Sequence, residues 1–246
     1  MNILAIIPAR MGSSRFPGKP LATILGKPMI GHVYENVSKN QTLTKTIVAT
    51  CDYEIKEYIE SIGGECIMTS STHERASDRC AEALLSLEKI DSCIYDIVVM
   101  VQGDEPMTHP DMIGEALKPM IDDPSIKVTN LVGDIDSVEE FNDKNCIKVV
   151  LDKNNFALYF SREPIPNLGF SKKLMKKQVC IIPFRRNFLI EYTKLQPTPL
   201  EIAESIDMMR VLEHGMKVYM SPTVHSTNAV DTPQDLKKVE DLMRSN

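Results

Sequence analysis

The chain begins with an apolar run, Asn2-Ile3-Leu4-Ala5-Ile6-Ile7-Pro8-Ala9. It stops abruptly at Arg10-Met11-Gly12-Ser13-Ser14-Arg15-Phe16-Pro17-Gly18-Lys19-Pro20. A short continuous apolar segment bounded by turn residues reads as a strand buried on both faces. The loop behind it carries Arg10, Arg15 and Lys19 among Gly and Ser residues that let backbone N–H groups turn toward a ligand. Cations and free amides gathered in one loop after a strand suit a polyphosphate. Neither Gly-Lys-Ser/Thr nor Gly-x-Gly-x-x-Gly occurs in it, so it is not one of the common phosphate loops. The competing reading is a solvated loop with incidental charge.

Strand and helix signals alternate after this point. Pro28 opens a helix to about Lys39. Thr46–Thr50 reads as a second strand, and Asp52 as the cap of a helix that stops at Gly63-Gly64. Glu65–Thr69 is a third strand. A helix over Ser77–Leu87 places Ala81, Leu84, Leu85 and Leu87 on its apolar side. Asp96–Val101 is a fourth strand, apolar on both faces, followed by a helix over Pro110–Ile121. The second half is less regular. Strands are expected at Ile126–Leu131, Cys146–Leu151, Phe156–Phe160, Val179–Phe184 and Lys217–Met220. Helices are expected at Arg186–Leu195, Leu200–Glu213 and Pro233–Arg244. Alternation of this kind predicts a doubly wound α/β core, Rossmann-like, with helices on both faces of the sheet. We read one domain over 1–246, with an insertion at about 130–200 forming a smaller lobe, a candidate dimerisation arm.

Composition removes several function classes. The chain has 246 residues, a net charge of −6, 43% hydrophobic and 25% charged residues. The basic footprint of a nucleic-acid binder is missing. No apolar run approaches the roughly 20 residues that span a bilayer, and no signal peptide is evident. We therefore expect a cytoplasmic protein with no membrane or nucleic-acid partner. The six cysteines, at 51, 66, 80, 93, 146 and 180, form no C-x-x-C pair. We read them as buried free thiols in a reducing compartment.

In an open α/β sheet ligands bind outside the carboxyl ends of the strands. The loop after the fourth strand is Gln102-Gly103-Asp104-Glu105-Pro106. It should face the same crevice as the first loop, and Asp104 there is placed to hold a divalent cation such as Mg²⁺. Asp231, just before Thr232-Pro233, reads either as a second metal ligand or as the N-cap of the last helix.

Several stretches together resemble the 3-deoxy-manno-octulosonate cytidylyltransferases. They are Ile7-Pro8-Ala9-Arg10, Ser14-Arg15-Phe16-Pro17-Gly18-Lys19-Pro20-Leu21, Gly26-Lys27-Pro28-Met29-Ile30, Val101–Pro106 and Val230–Pro233. Val149–Asp152, Ala157-Leu158-Tyr159-Phe160-Ser161-Arg162, Gln196–Glu201 and Arg210–Leu212 extend the match over nearly the whole chain. The resemblance implies transfer of CMP from CTP to the anomeric hydroxyl of a 2-keto-3-deoxy sugar acid, for lipopolysaccharide or other cell-surface polysaccharide. It implies that Ala9, Arg10, Ser14, Arg15 and Lys19 bind the nucleotide, with Ala9 near the base. It makes Lys19, Arg10 and Asp104 the catalytic residues and Asp104 and Asp231 the Mg²⁺ ligands. It places Arg79, Gln102, Arg162 and Asp207 on the sugar side, and it implies a homodimer. Two other activities compete: a sugar nucleotidyltransferase of sialic-acid type or one using a sugar 1-phosphate with UTP or dTTP, and a non-catalytic nucleotide-binding relative.

Departures from the family pattern cluster on the sugar side. Arg75-Ala76-Ser77-Asp78-Arg79 stands where Ser-Gly-Thr-Asp-Arg is usual. Gln178, Ile182 and Met208 stand where a His, a Tyr and a Gln are usual, and Asp207 replaces a Glu. The pattern implies an intact nucleotide half and a remodelled acceptor pocket.

Overall fold

The computed structural model describes residues 1–12, 15–167 and 174–245. Its first strand, β1 (Ile3–Ala9), is buried at every position. A short hairpin of β2 (Thr23–Ile24) and β3 (Lys27–Pro28) leads into α1 (Met29–Ser38). Then come β4 (Lys45–Thr50), α2 (Tyr53–Ser61), β5 (Glu65–Met68), α3 (Ala76–Asp91), β6 (Ile97–Val101) and α4 (Asp111–Asp122). The contacts divide the chain into two units, one of residues 1–114 and 226–246, the other of residues 115–225.

The first unit is built on a parallel sheet in the order β6-β1-β4-β5. The chain runs outward from β1 through β4 to β5, then returns through α3 to pair β6 on the other side of β1. With right-handed crossovers, α1 and α2 cover one face and α3 the other. Gly31 lets α1 close on α2, since a Cβ there would meet the Tyr58 hydroxyl at 2.2 Å. The reversal of strand order between β1 and β6 is the topological switch point, where such sheets open a binding crevice. The two loops singled out from the sequence leave the carboxyl ends of these two neighbouring strands.

Helix α2 ends in a Schellman motif. Gly63 adopts φ 78°, its N–H bonds to the Glu60 carbonyl at 3.0 Å, and the Gly64 N–H bonds to that of Ile59 at 2.8 Å. Helix α3 is longer than expected and buries Ala81, Leu84 and Leu87 but leaves Leu85 exposed. One face of a 3.6-residue period does not hold both Leu84 and Leu85.

The second unit contains β7 (Thr129–Asp134), α5 (Val138–Asn142), β8 (Lys148–Leu151), β9 (Ala157–Ser161), β10 (Lys176–Val179) and β11 (Ile181–Arg185). Helices α6 (Arg186–Tyr192), α7 (Pro199–Glu204) and α8 (Met208–Glu213) follow, then β12 (Tyr219–Pro222). Its sheet is mixed, in the order β12-β7-β10-β8-β9, with only the β12–β7 pair parallel. The fold is thus α/β with parallel and mixed sheets flanked by helices. The chain closes in the first unit with α9 (Pro233–Ser245).

Three expectations for the second half need correction. The strand expected at 126–131 lies at Thr129–Asp134. The strand expected at 179–184 is two strands, β10 and β11, separated at Cys180. The helix expected at 200–213 is two, because Ser205 takes a left-handed conformation, φ 54°, and stops α7. The cysteines are free as expected, but only Cys80 is fully buried. Burial still pushes the thiols of Cys66 and Cys146 up, to about 12 and about 11, so neither is a reactive thiolate. No helix among the described residues is long and apolar enough to cross a membrane.

Candidate active site

The loop after β1 closes on itself. The Met11 carbonyl accepts from the Gly18 N–H at 3.1 Å, and Gly18 turns the chain at φ 74° into a 3₁₀ turn, Lys19–Leu21. This turn aims Lys19 inward. Its Nζ lies 2.8 Å from Asp104 Oδ2 and 3.4 Å from Asp231 Oδ1. Arg15 Nη2 lies 2.9 Å from that same Asp231 oxygen. The Lys19, Asp104 and Asp231 side chains are 14%, 25% and 17% exposed, so the cluster is largely withdrawn from water, whereas the Arg15 side chain is 51% exposed. Burial draws the Lys19 pKa down, but the charge of Asp104 and then that of Asp231 outweigh it and hold the ammonium above its ordinary value.

Local structure explains how residues so distant in sequence meet. Asp104 sits in the loop after β6, whose Pro106 carbonyl accepts from Asn36 Nδ2 of α1 at 3.2 Å. The Val230 N–H donates to the Asp104 carbonyl at 2.9 Å, which brings the second acid beside the first. Val230 and Val239 pack with Ile24 and Met29, and with the half-buried Phe16, in one apolar cluster. Burying these side chains fixes the segment before α9 against the loop after β1.

The two readings of Asp231 separate cleanly. Thr232 caps α9: its Oγ1 accepts from the Asp235 N–H at 3.2 Å, and Asp235 Oδ2 accepts from the Thr232 N–H at 2.8 Å. That reciprocal pair is a capping box. The Asp231 carboxylate is not used by the helix and turns to Lys19 and Arg15 instead. Thr232-x-x-Asp235 was a readable signal that the cap lay one residue later.

The other sequence-derived residues fall as follows. Ala9 ends β1 and is buried. Arg10 follows it and is exposed. Ser14 lies outside the described residues. Gln102 is half-buried directly after β6. Arg79, on α3, is 3% exposed; its Nη1 donates to Thr69 Oγ1, and its Nη2 is buried with no hydrogen-bond partner among the described residues. An orphaned guanidinium nitrogen is costly unless a ligand completes it. Arg162 and Asp207 belong to the second unit. There the Arg162 guanidinium donates to the carbonyls of Glu204, Lys144 and Ser205, at 2.8, 2.9 and 3.3 Å. Asp207 precedes α8, and its carbonyl accepts from the Tyr192 hydroxyl at 3.0 Å.

Sequence reasoning missed two contributors. Asp52 does not cap α2 with its side chain; its Oδ2 accepts from the Met11 N–H at 2.7 Å. Glu204 gathers Tyr159, Ser161 and the Arg162 N–H on one carboxylate. Neither partnership has a local spacing that could announce it. The Gln196–Glu201 stretch, by contrast, is structural: Glu201 is fully buried and holds Arg210 by two bonds, at 2.7 and 2.6 Å.

Two carboxylates thus converge on one cation at a switch point, beside a cationic loop, an arrangement suited to a charged ligand. Comparison with known proteins makes the class specific. The family model described as cytidylyltransferase matches residues 4–218. The 3-deoxy-manno-octulosonate cytidylyltransferase of Geobacter metallireducens is 44% identical, over 97% of this chain and 96% of its own length. That of Syntrophus aciditrophicus is 42% identical, over 98% and 97%. Among solved structures, CMP:2-keto-3-deoxy-manno-octonic acid synthetase complexed with CTP superposes with a TM-score of 0.89 at 38% identity, covering 100% of this chain and 99% of the other. A 4-diphosphocytidyl-2C-methyl-D-erythritol synthase from Anaerococcus prevotii, at 14% identity and TM-score 0.61, shares the fold. The chain belongs to the cytidylyltransferase family.

The cap assignment has a direct check. Thr232→Ala should lower unfolding stability by about 1 kcal/mol in urea titrations. Hydrogen exchange at the Asp235 amide, which donates to Thr232 Oγ1, should speed up in Thr232→Ala and not in Asp231→Ala; the reverse pattern would return the capping role to Asp231.

Proposed function

We propose that the protein transfers the cytidylyl group of CTP to the anomeric hydroxyl of a 3-deoxy-2-ulosonic acid, 3-deoxy-manno-octulosonate or a modified relative, with release of pyrophosphate. The observation that carries this reading is the cluster of Lys19, Arg15, Asp104 and Asp231 at the switch point of a cytidylyltransferase-family chain. The 40–44% identical relatives, 3-deoxy-manno-octulosonate cytidylyltransferases, support the donor and the acceptor class.

In this reading Arg10, Arg15 and Lys19, with Ser14, bind the triphosphate, and Ala9 lies against the base. Asp104 and Asp231 hold Mg²⁺. The fit is supported by the way both carboxylates already close on a single cation, as hard oxygen ligands for a divalent ion should. Bound there, Mg²⁺ would neutralise triphosphate charge. Lys19 and Arg15 then exchange the two carboxylates for phosphate oxygens, so every charge in the crevice keeps a partner. The acceptor's anomeric oxygen bonds to the α-phosphorus, the bond to the bridging oxygen breaks, and pyrophosphate leaves with that electron pair. The hydroxyl proton is released. No covalent protein intermediate is needed; positioning and fixed positive charge supply the catalysis. The family resemblance assigns Arg79, whose Nη2 lacks a partner among the described residues, Gln102, Arg162 and Asp207 to recognition of the sugar. A cytoplasmic homodimer serving lipopolysaccharide or related polysaccharide synthesis completes the proposal.

The acceptor is where this chain departs from its family. Gln178 spends its Nε2 on Asn130 Oδ1 at 2.5 Å. Ile182 and Met208 are 3% and 0% exposed. These three positions offer a sugar few polar partners, which supports an acceptor with a less polar or differently charged tail. Each unmatched buried polar group costs roughly 1–3 kcal/mol.

Pyrophosphate release should be measured with the four NTPs and a panel of acceptors: 3-deoxy-manno-octulosonate, its 8-amino analogue and nine-carbon 2-keto-3-deoxy acids. CTP should be the preferred donor, and a modified acid should exceed the parent sugar in kcat/KM. Preference for UTP or another donor, or no turnover with any acid, would refute the reading. A clear win for the parent sugar would show that Gln178, Ile182 and Met208 do not alter specificity. Under the best conditions found, Lys19→Ala should lower kcat by about 10²–10³. A loss of only a few-fold would remove Lys19 from the transferred phosphate.

A further inference from the structure

We infer that Asp52 is a positioning residue that fastens the triphosphate loop to the end of β4. The inference rests on the reading of that loop as the CTP site. Asp52 stands at the N-cap position of α2, where an aspartate ordinarily accepts from its own helix. Here its side chain makes no such bond. Its Oδ2 accepts instead from the Met11 N–H at 2.7 Å, across 41 residues of sequence. The Cys51 thiol points to the same oxygen at 3.6 Å, and the Asp52 N–H is held by Thr50 Oγ1 at 3.1 Å. The carboxylate is therefore oriented from its own strand end before it reaches the loop.

Met11 is gripped on both sides. Its N–H goes to Asp52 and its carbonyl to the Gly18 N–H at 3.1 Å. These two bonds form the neck of the loop. Arg10 lies just before the first and Lys19 just after the second, so the spacing of the two cations is set at the neck. A loop ordered in advance binds its ligand without the ordering cost falling on binding. Hydrogen bonds to a charged group are also among the stronger ones. Loss of this bond should weaken CTP binding more than it slows the bound complex.

The test separates anchoring from capping by side-chain length. Serine caps a helix as well as aspartate, but its oxygen is one bond shorter and does not reach Met11. Asparagine both caps and reaches, with a carbonyl oxygen as acceptor. Asp52→Ser should raise the KM for CTP roughly 10-fold or more, a loss expected for a hydrogen bond to a charged group. Its kcat should change only a few-fold and its Tm should stay within a few degrees of wild type. Asp52→Asn should restore most of the KM. A wild-type KM in Asp52→Ser, no rescue by Asp52→Asn, or an Asp52→Ser protein that does not fold would each overturn the inference. Should the wild-type protein not use CTP, the anchor is read without nucleotide, by hydrogen exchange at the Met11 amide. That amide should be protected in wild type and Asp52→Asn and exchange fast in Asp52→Ser; equal exchange in all three contradicts the anchor.

Discussion

The interaction on which the rest depends is the ion cluster of Lys19 with Asp104 and Asp231. The pairs span 85 and 212 residues of sequence. With Arg15 the cluster holds two cations and two anions, so its net charge is zero. Two half-buried carboxylates held side by side without a cation would be unfavourable. The first loop, the loop after β6 and the segment before α9 must therefore arrive together. The parallel sheet achieves this by seating β6 next to β1, and the bond from Val230 to Asp104 adds the third segment. In the proposed function, a metal–triphosphate pair would take the place of these contacts.

Much of the first unit was legible. β1 and β6 are continuous apolar runs, β4 carries one at Ile47–Ala49, and Gly63-Gly64 announced the end of α2 because only a residue tolerant of positive φ completes that stop. Legibility declined where geometry depends on contacts distant in sequence. Cys180 interrupts what reads as one strand, and Ser205 interrupts what reads as one helix. In both cases the local pattern continues through the break. The charged loop stands out in the sequence because its residue types suit phosphate. The partner that fixes it, Asp52, could not, because an aspartate before a helix already has an ordinary local explanation.

The same ambiguity governed Asp231, and here the chain resolves it by division of labour. Thr232 and Asp235 take over the helix, which leaves the neighbouring carboxylate to the crevice. Motif matches in the second unit divide in a similar way. Glu201 and Arg210 match the family because they form a buried two-bond ion pair between α7 and α8. Arg162 donates to three backbone carbonyls. A shared motif therefore marks architecture as readily as chemistry, and only the partners of each side chain tell the two apart.

If the cluster is a metal site held in balance by its own lysine, removing the ammonium should free the two carboxylates for a divalent ion. Mn²⁺ binding to the nucleotide-free protein, followed by electron paramagnetic resonance, tests this directly. Wild type should bind Mn²⁺ weakly, and Lys19→Met should bind it at least about 10-fold more tightly, the equivalent of one lost charge-assisted contact. Equal or weaker Mn²⁺ affinity in Lys19→Met would contradict the account.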